Sequence, residues 1–586
     1  VTAPFDSAAL NNYLDNLISE SRQATRDLDK NLEEDLRFFR GDQWTNRIPR
    51  HRIPFTANYI GVTVKRITGL MTDTKPTIDV KARKKGLEKL ASELIAPAIR
   101  ANWDEQSYHQ KFANGVLPIA QIFGRCPVNI CYDSSLDGGL GDITIEPIDP
   151  RSFFLDPTIT RAVDLDKAEY AGFRTVMPLR LIRKLFPDRG HLVQPNSNVS
   201  RFLDETPETS GWLSPGHRYS RTGAGRSRES FAVPRAVVDE FWIADDRLVR
   251  ELPKELQEMA FMNGLAPGDL AFPGGRRIVR AGANKVLLLD MANPYLDQKF
   301  PFEMFDWDIE IENPLGSSVV KLLKSLQTIL NKLGSQITEN AIKMNNNIWI
   351  GDRDALERHE WQQLNDAPGL MVRVKPGRML KRESPPALPG SVFQMIQWVV
   401  NTMDVLTGMV DVTQGRRPVG IVSSHAIEAL QIAAQVLIRL QTRKFENFLE
   451  RIGQKLISRV FQFYTSDRLM HFLGPGNQLQ EFFFERQRLL DTRVPQPDGS
   501  TRPIDLARDL KDLRFIVTPG SSMAVTRIQK GQIAMQLYQA GLLPGVEVLK
   551  ALEWEAPEEM VQQARAEAAA GAAQSPQPTK RLRVAA

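Results

Sequence analysis

Residues 425–465 read HAIEALQIAAQVLIRLQTRKFENFLERIGQKLISRVFQFYT, without a proline and with Gly453 as the one glycine. Ile427, Leu430, Ala434, Leu437, Phe445, Phe448, Ile452, Leu456, Val460 and Phe463 recur close to helical spacing. Ser424 stands where an N-cap belongs, and Glu428 in the first turn suits the helix dipole. A helix of this length spans roughly 60 Å at 1.5 Å per residue. That is longer than a compact domain normally uses, so the spacing predicts an elongated subunit or a helix packed against copies of itself.

Working outward, two more helices precede it. Leu315–Asn345 contains no proline, and Lys321, Lys332 and Lys343 recur every eleven residues on one stripe, with Lys324 on its flank and Glu339 diluting it. Such a stripe is a solvated face, or a set of stacked basic rings if the subunit is repeated around an axis. Ser391–Leu406 carries no charge before Asp404. Gln394, Gln397, Asn401 and Asp404 form a polar face opposite Phe393, Ile396, Val399 and Val400, as in a helix packed between neighbours or an ordinary buried one. Between the two, Ile348–Ile350 and Met371–Val374 read as short strands around a helical segment, Asp354–Leu364, closed by Pro385, Pro386 and Pro389. Met409–Ser423, with Gly415, Pro418 and Gly420, reads as a loop too polar at Thr413, Gln414, Arg416 and Arg417 to be a packed core connection.

The first 310 residues read as mixed α+β. Helices are expected over 8–40, stopped by Gly41, over Asn58–Met71, and over 86–123 with breaks near Gly115 and Pro118. Strands are expected at Thr77–Val80, 126–132, 142–148 and 168–176. Residues 192–235 are rich in Ser, Pro, Gly and Arg and read as a surface excursion.

The chain has 586 residues and a mass of 66.1 kDa, more than one core normally organises. Its 42% hydrophobic and 25% charged content excludes a wholly disordered chain. The most apolar run, Ile396–Val412, is broken by Asn401, Asp404 and Asp411, so no membrane-spanning helix is expected. The chain opens on Val1 and a polar stretch, which suggests a trimmed N-terminus and no signal peptide. Two cysteines, Cys126 and Cys131, cannot form a disulfide framework and read as small buried residues. Seventy-five basic against 70 acidic residues, net +5, do not announce a nucleic-acid binder.

Several chemistries are missing. No Gly-Lys dipeptide occurs, so there is no nucleotide-binding phosphate loop. There is no G-x-S-x-G elbow, and His359-Glu360 lacks a second His at metal-ligand spacing. Asp306, Asp308, Glu310 and Glu312 alternate, which on a strand places four carboxylates on one face. They read as the wet face of a half-buried strand backed by Phe305, Trp307, Ile309 and Ile311, or as the metal cluster of a nuclease.

Ordered segments along the chain resemble the portal proteins of tailed bacteriophages, in particular the P22-like ones. They are Phe39-Arg40-Gly41-Asp42-Gln43-Trp44, then Pro147–Pro157, then Asp166–Tyr170. Asn293-Pro294-Tyr295 and Phe300-Pro301-Phe302 follow, and Asn313-Pro314-Leu315-Gly316 leads into a helix bearing Gln327 and Asn331. Gly408, a loop and the long helix complete the order.

The resemblance implies an α+β portal fold: an N-terminal wing over 1–314 with its excursion at 192–235, a first stem helix at 315–345 and a clip at 346–390. A second stem helix at 391–408, a tunnel loop at 409–424, a long helix and C-terminal wing over 425–520, a short crown at 521–570 and a disordered tail at 571–586 would follow. The long helical barrel extension of the P22 portal is lacking. A portal is not an enzyme and needs no cofactor. It forms a ring, usually of twelve subunits, at one capsid vertex, through which a separate terminase motor packages double-stranded DNA that is later ejected. The implied partners are DNA, the terminase large subunit, a tail adaptor, and the major capsid and scaffolding proteins, with no membrane. Assembly in the host cytoplasm and residence in the virion follow. On this reading Gln414, Arg416 and Arg417 face DNA in the tunnel loop, Lys321, Lys324, Lys332 and Lys343 line the stem, and Trp349, Arg353, Arg373, Lys375 and Arg378 belong to the clip interface. A metal-dependent nuclease built on residues 306–312, or a DNA-binding protein that forms no ring, are the alternatives.

Overall fold

The computed structural model describes residues 7–44, 53–73, 75–196, 233–252, 254–262, 264–310, 313–345, 348–364, 372–383, 388–409, 436–473, 479–495, 500–517 and a few between 531 and 548. It is a mixed α+β chain. The principal helices are α1 (Ser7–Arg40), α2 (Tyr59–Met71), α3 (Ala96–Glu105), α4 (Leu117–Phe123), α5 (Val319–Asn345), α6 (Gly390–Thr407) and α7 (Val436–Phe463).

Helix α1 links two cores. Leu10, Leu14, Leu17 and Ile18 pack on one face of a five-stranded antiparallel sheet, with Phe154, Tyr170, Phe241 and Ile278. Leu32, Leu36 and Phe38, about four turns further on, enter the main helical core instead. Gly41 at φ +90° closes the helix, its N–H and that of Asp42 returning to Phe38 and Arg37 carbonyls.

That sheet runs β4 (Phe153–Leu155), β5 (Tyr170–Pro178), β6 (Arg235–Ile243), β7 (Arg276–Ala281) and β8 (Val286–Ala292) in sequential order. Strand β6 is apolar on both sides because both faces are covered. Phe241 and Ile243 face α1, and Trp242 faces Phe302, Met304 and Tyr295. A three-stranded sheet orders β3 (Asp142–Pro147), β2 (Arg125–Asp133) and β9 (Phe302–Asp306). The remaining strands pair in twos, and one such pair joins distant ends of the chain: β1 (Ile78–Ala82) lies antiparallel to β18 (Leu513–Val517).

The centre of the main core is α7. Phe445, Phe448, Ile452, Leu456, Ile457, Val460 and Phe461 are all buried, against Phe112, Phe305 and Phe515 among others. Gly453 is where β18 crosses: a Cβ there would stand 2.1 Å from the Phe515 ring.

Four expectations change. The 86–123 region breaks at Ser107 (φ +51°) rather than at Gly115. Gly115 sits in a π-helical turn, Phe112–Val116, packed close to Pro147, and that wide turn admits Pro118 directly after it. The helix expected from Leu315 begins at Val319, because Asn313–Ser317 forms β11, paired with β10 (Asp308–Glu310), and Gly316 takes φ +71°. The partner of β12 (Ile348–Gly351) is β13 (Leu380–Glu383), not Met371–Val374. Ile309 is exposed rather than core-facing. The long helix is described from Val436, so Ser424, Glu428 and the first part of its ladder lie outside the described residues, as do 197–232 and 549–586.

Candidate channel and interface elements

Helix α5 carries Gln327, Asn331, Ser335 and Glu339 at four-residue spacing, and the chain from Ile53 to Ile60 runs antiparallel along that row. The Ile53 N–H donates to Glu339, Phe55 to Ser335, Ala57 to Asn331, and Ile60 to Gln327. The match is geometric: four helical residues advance about 6 Å and two extended residues about 6.6 Å. Gln43 joins this row to the end of α1. Asn331 Nδ2 donates to its Oε1 at 2.6 Å, and its own amide donates to the Phe38 carbonyl and Asn58 Oδ1. Gln43 and Asn331, quoted above in separate segments, thus meet across 288 residues in a buried hydrogen bond. The four polar residues at helical spacing were visible in sequence; what they bind was not.

Helix α6 packs along α5 through Val399 and Met403, with Ile396 and Val400 partly buried. Its C-terminal end is held by Tyr59, whose hydroxyl donates to Asp404. Burial, reinforced by the Asp404 hydrogen bond, pushes the Tyr59 hydroxyl up to about 12. The other side of α6 is apolar and not covered by any of the described residues: Met395, Trp398 (58% exposed), Val405 (60%) and Leu406 fall within about 100° on the helix. Phe393, expected on the core side, is 55% exposed. Gly408 at the end of α6 abuts Leu437 of α7, and Val436, Leu437 and Leu440 are exposed beside it.

The four lysines of α5 differ among themselves. Lys321 reaches Glu310 at 2.6 Å. Lys324 bridges Glu34 and Asp35 of α1 at 2.6 and 3.1 Å, with Phe38 beneath its ammonium. Lys332 is exposed, and the Lys343 side chain lies outside the described residues. Trp349, Arg353, Arg373, Lys375 and Arg378 lie in one small module, where the β12–β13 pair and the Arg358–Gln363 helix enclose Ala355 and Leu356. Lys375 pairs with Glu357, whose carboxyl is held below its usual range by that hydrogen bond, and Arg378 lies 3.7 Å from Asp354. Arg353 and Arg373 are exposed, and Trp349 is partly buried. Gln414, Arg416 and Arg417 lie outside the described residues.

The carboxylate row does not converge. Partly buried Asp306 receives Arg125 at 2.6 Å, Asp308 pairs with Lys444, and Glu310 with Lys321; Glu312 lies outside the described residues. Each is answered by its own cation on a different element, and the turn at Trp307 separates Asp306 from the next two. Among the described residues no group of three or more His, Cys, Asp or Glu is placed to hold a metal ion. Nor is any helix there long and apolar enough to cross a membrane.

The family model described as phage P22-like portal protein matches residues 16–585. None of the curated proteins compared with the chain matches it. The family match takes in the Phe39–Trp44 segment, helix α5 that it docks against, and the long central helix alike. The chain belongs to the phage P22-like portal protein family.

Proposed function

We propose that this portal protein assembles into a ring of about twelve subunits at one vertex of the capsid, with α5 and α6 as its stem. Double-stranded DNA would pass through the ring, driven by the terminase large subunit, and a tail adaptor would later dock on the module at 346–390. Major capsid and scaffolding proteins would surround it during assembly in the host cytoplasm. Residues 409–424, with Gln414, Arg416 and Arg417, follow α6 in the chain and are assigned to the channel. Arginines that touch phosphates without reading bases suit a conduit for any sequence. Exposed Lys332 suits the channel wall better than Lys321 and Lys324, whose charge is already answered by carboxylates.

The observation that carries the ring is the uncovered apolar side of α6 continued onto the start of α7. An apolar surface carrying an exposed aromatic side chain is what a subunit interface buries. A ring needs such a heterologous contact repeated around a closed axis. Native mass measurement of the purified full chain should give about 0.8 MDa for about twelve copies of 66.1 kDa. Trp398→Glu combined with Val405→Glu should release smaller species that keep the same helical content. Only monomer from the unaltered chain, at low and at moderate salt, would remove the ring.

A further inference from the structure

The outward face of the β1–β18 pair sets two cations against each other. Lys81 lies directly opposite Arg514 in the antiparallel register, and both are exposed. Directly opposed like charges destabilise a strand pair, so this arrangement works against the fold. The ladder continues one step further, the Arg83 N–H donating to the Asp512 carbonyl, and the exposed Arg83 side chain extends the row about 6.6 Å beyond Lys81.

Beside this face lies a cleft of about 620 Å3 lined by Arg83, Lys511 and Arg514 together with three carboxylates. Each carboxylate is already engaged. Asp166 pairs with Lys299, Glu303 with both Arg451 and Lys455, and Asp297 with Arg459. On the face itself Asp512, directly opposite Arg83, pairs with Lys84, and Asp79, two residues before Lys81, pairs with Arg100. Among the described residues no carboxylate is paired with Lys81, Arg83, Lys511 or Arg514. No large exposed apolar side chain lies on 75–96 or 500–517. A protein partner would bring an apolar interface core to such a surface; a phosphate backbone needs only the cations.

We propose that the outer face of β1–β18 and its adjoining cleft bind the phosphate backbone of duplex DNA without regard to sequence, as a contact separate from the stem helices and residues 409–424. The choice of duplex DNA as the polyanion rests on the portal reading; the excess of cations does not.

The test measures binding of a labelled 30-base-pair mixed-sequence duplex to the assembled full chain, as a function of salt. Replacing Lys81, Arg83 and Arg514 together by Gln should make the slope of log K against log salt shallower by about 2–3, from a slope near 0.9 per phosphate contact. Affinity near 0.1 M salt should fall at least about tenfold. Lys184→Gln, which removes an exposed cation that does not line the cleft, should change neither. Lys81→Glu separates binding from folding. It turns the opposed cations into an attractive cross-strand pair, so it should raise the thermal midpoint while weakening DNA binding. An unchanged slope and affinity in the triple variant would overturn the proposal, and so would Lys81→Glu lowering stability and binding together. If the triple variant loses polyglutamate but keeps the duplex, the partner is an acidic protein and the DNA assignment falls. Mass measured on the same samples reports the ring separately, so failure of the portal reading and failure of this contact are told apart.

Discussion

Replacing Asn331 by Ala removes a buried side chain that holds three hydrogen bonds at once. Its amide donates to Gln43 Oε1 at 2.6 Å, and its carbonyl accepts from Gln327 at 3.0 Å and from the Ala57 N–H at 3.3 Å. Gln327 retains the Ala57 carbonyl as an acceptor, so its loss is small. Gln43 Oε1 and the Ala57 N–H are left without these partners. At about 1–3 kcal/mol for each stranded group, and less for the longer and less buried one, the loss comes to about 2–4 kcal/mol. Because the docked segment 53–60 is held mainly by this row, the loss should appear first as local opening. Amide exchange at Phe55, Ala57 and Ile60 should accelerate roughly 30- to 1000-fold, at about 1.4 kcal/mol per factor of ten. Exchange in the five-stranded sheet should stay unchanged. A double substitution, Gln43→Leu with Asn331→Leu, should recover part of the loss, since replacing both partners strands fewer groups. Unaltered protection at Phe55 and Ile60 in Asn331→Ala would refute the ladder as the force that docks this segment.

Gly453→Ala should destabilise the chain by about 1–3 kcal/mol, because its Cβ would overlap the fully buried Phe515 ring where β18 crosses α7. Phe515→Leu in the same chain should restore part of it, read as a thermal midpoint. Asp290→Ala removes the carboxylate that holds the buried Arg276 guanidinium through two hydrogen bonds, and should cost about 3–5 kcal/mol in denaturant unfolding. Burial pushes the Asp35 carboxyl above its ordinary 3.8, against the pull of Lys324 and Ser318. The folded chain therefore holds that proton more tightly than the unfolded one. Its contribution favours folding below 3.8 and declines as pH rises through the folded value. Asp35→Asn should flatten the stability profile across that window, and an identical profile would show that Lys324 neutralises the site fully.

Periodic segments were the legible part of the chain. The leucines of α1, α6 with its single charge at Asp404 and the phenylalanine-rich second half of α7 could be read directly, because helical burial leaves a pattern that depends only on neighbours three and four residues away. Gly41 as a stop and β12 as a strand were legible for the same local reason. Boundaries that depend on a distant partner were not. Leu315 looked helical until β10 claimed it, and Leu380–Glu383 took the place beside β12 that Met371–Val374 had been expected to fill. The carboxylates at 306–310 alternate as a metal cluster would. Their three cations come from residues 125, 321 and 444, and no spacing rule reports that.

Residue order alone was enough for the α+β class, the helical second half and the want of a nucleotide-binding loop, since each follows from composition or from a short-range pattern, while the likeness to portals lay in the order of the quoted segments. Folding decided which of those residues meet. It brought Gln43 to Asn331, Lys81 to face Arg514, Phe515 over Gly453, and it left Trp398 outside the core that Val399 enters. The reason is physical. A helix or strand writes its own period into the chain, whereas a contact between residues hundreds of positions apart is set by the packing of the whole core, which no local window contains.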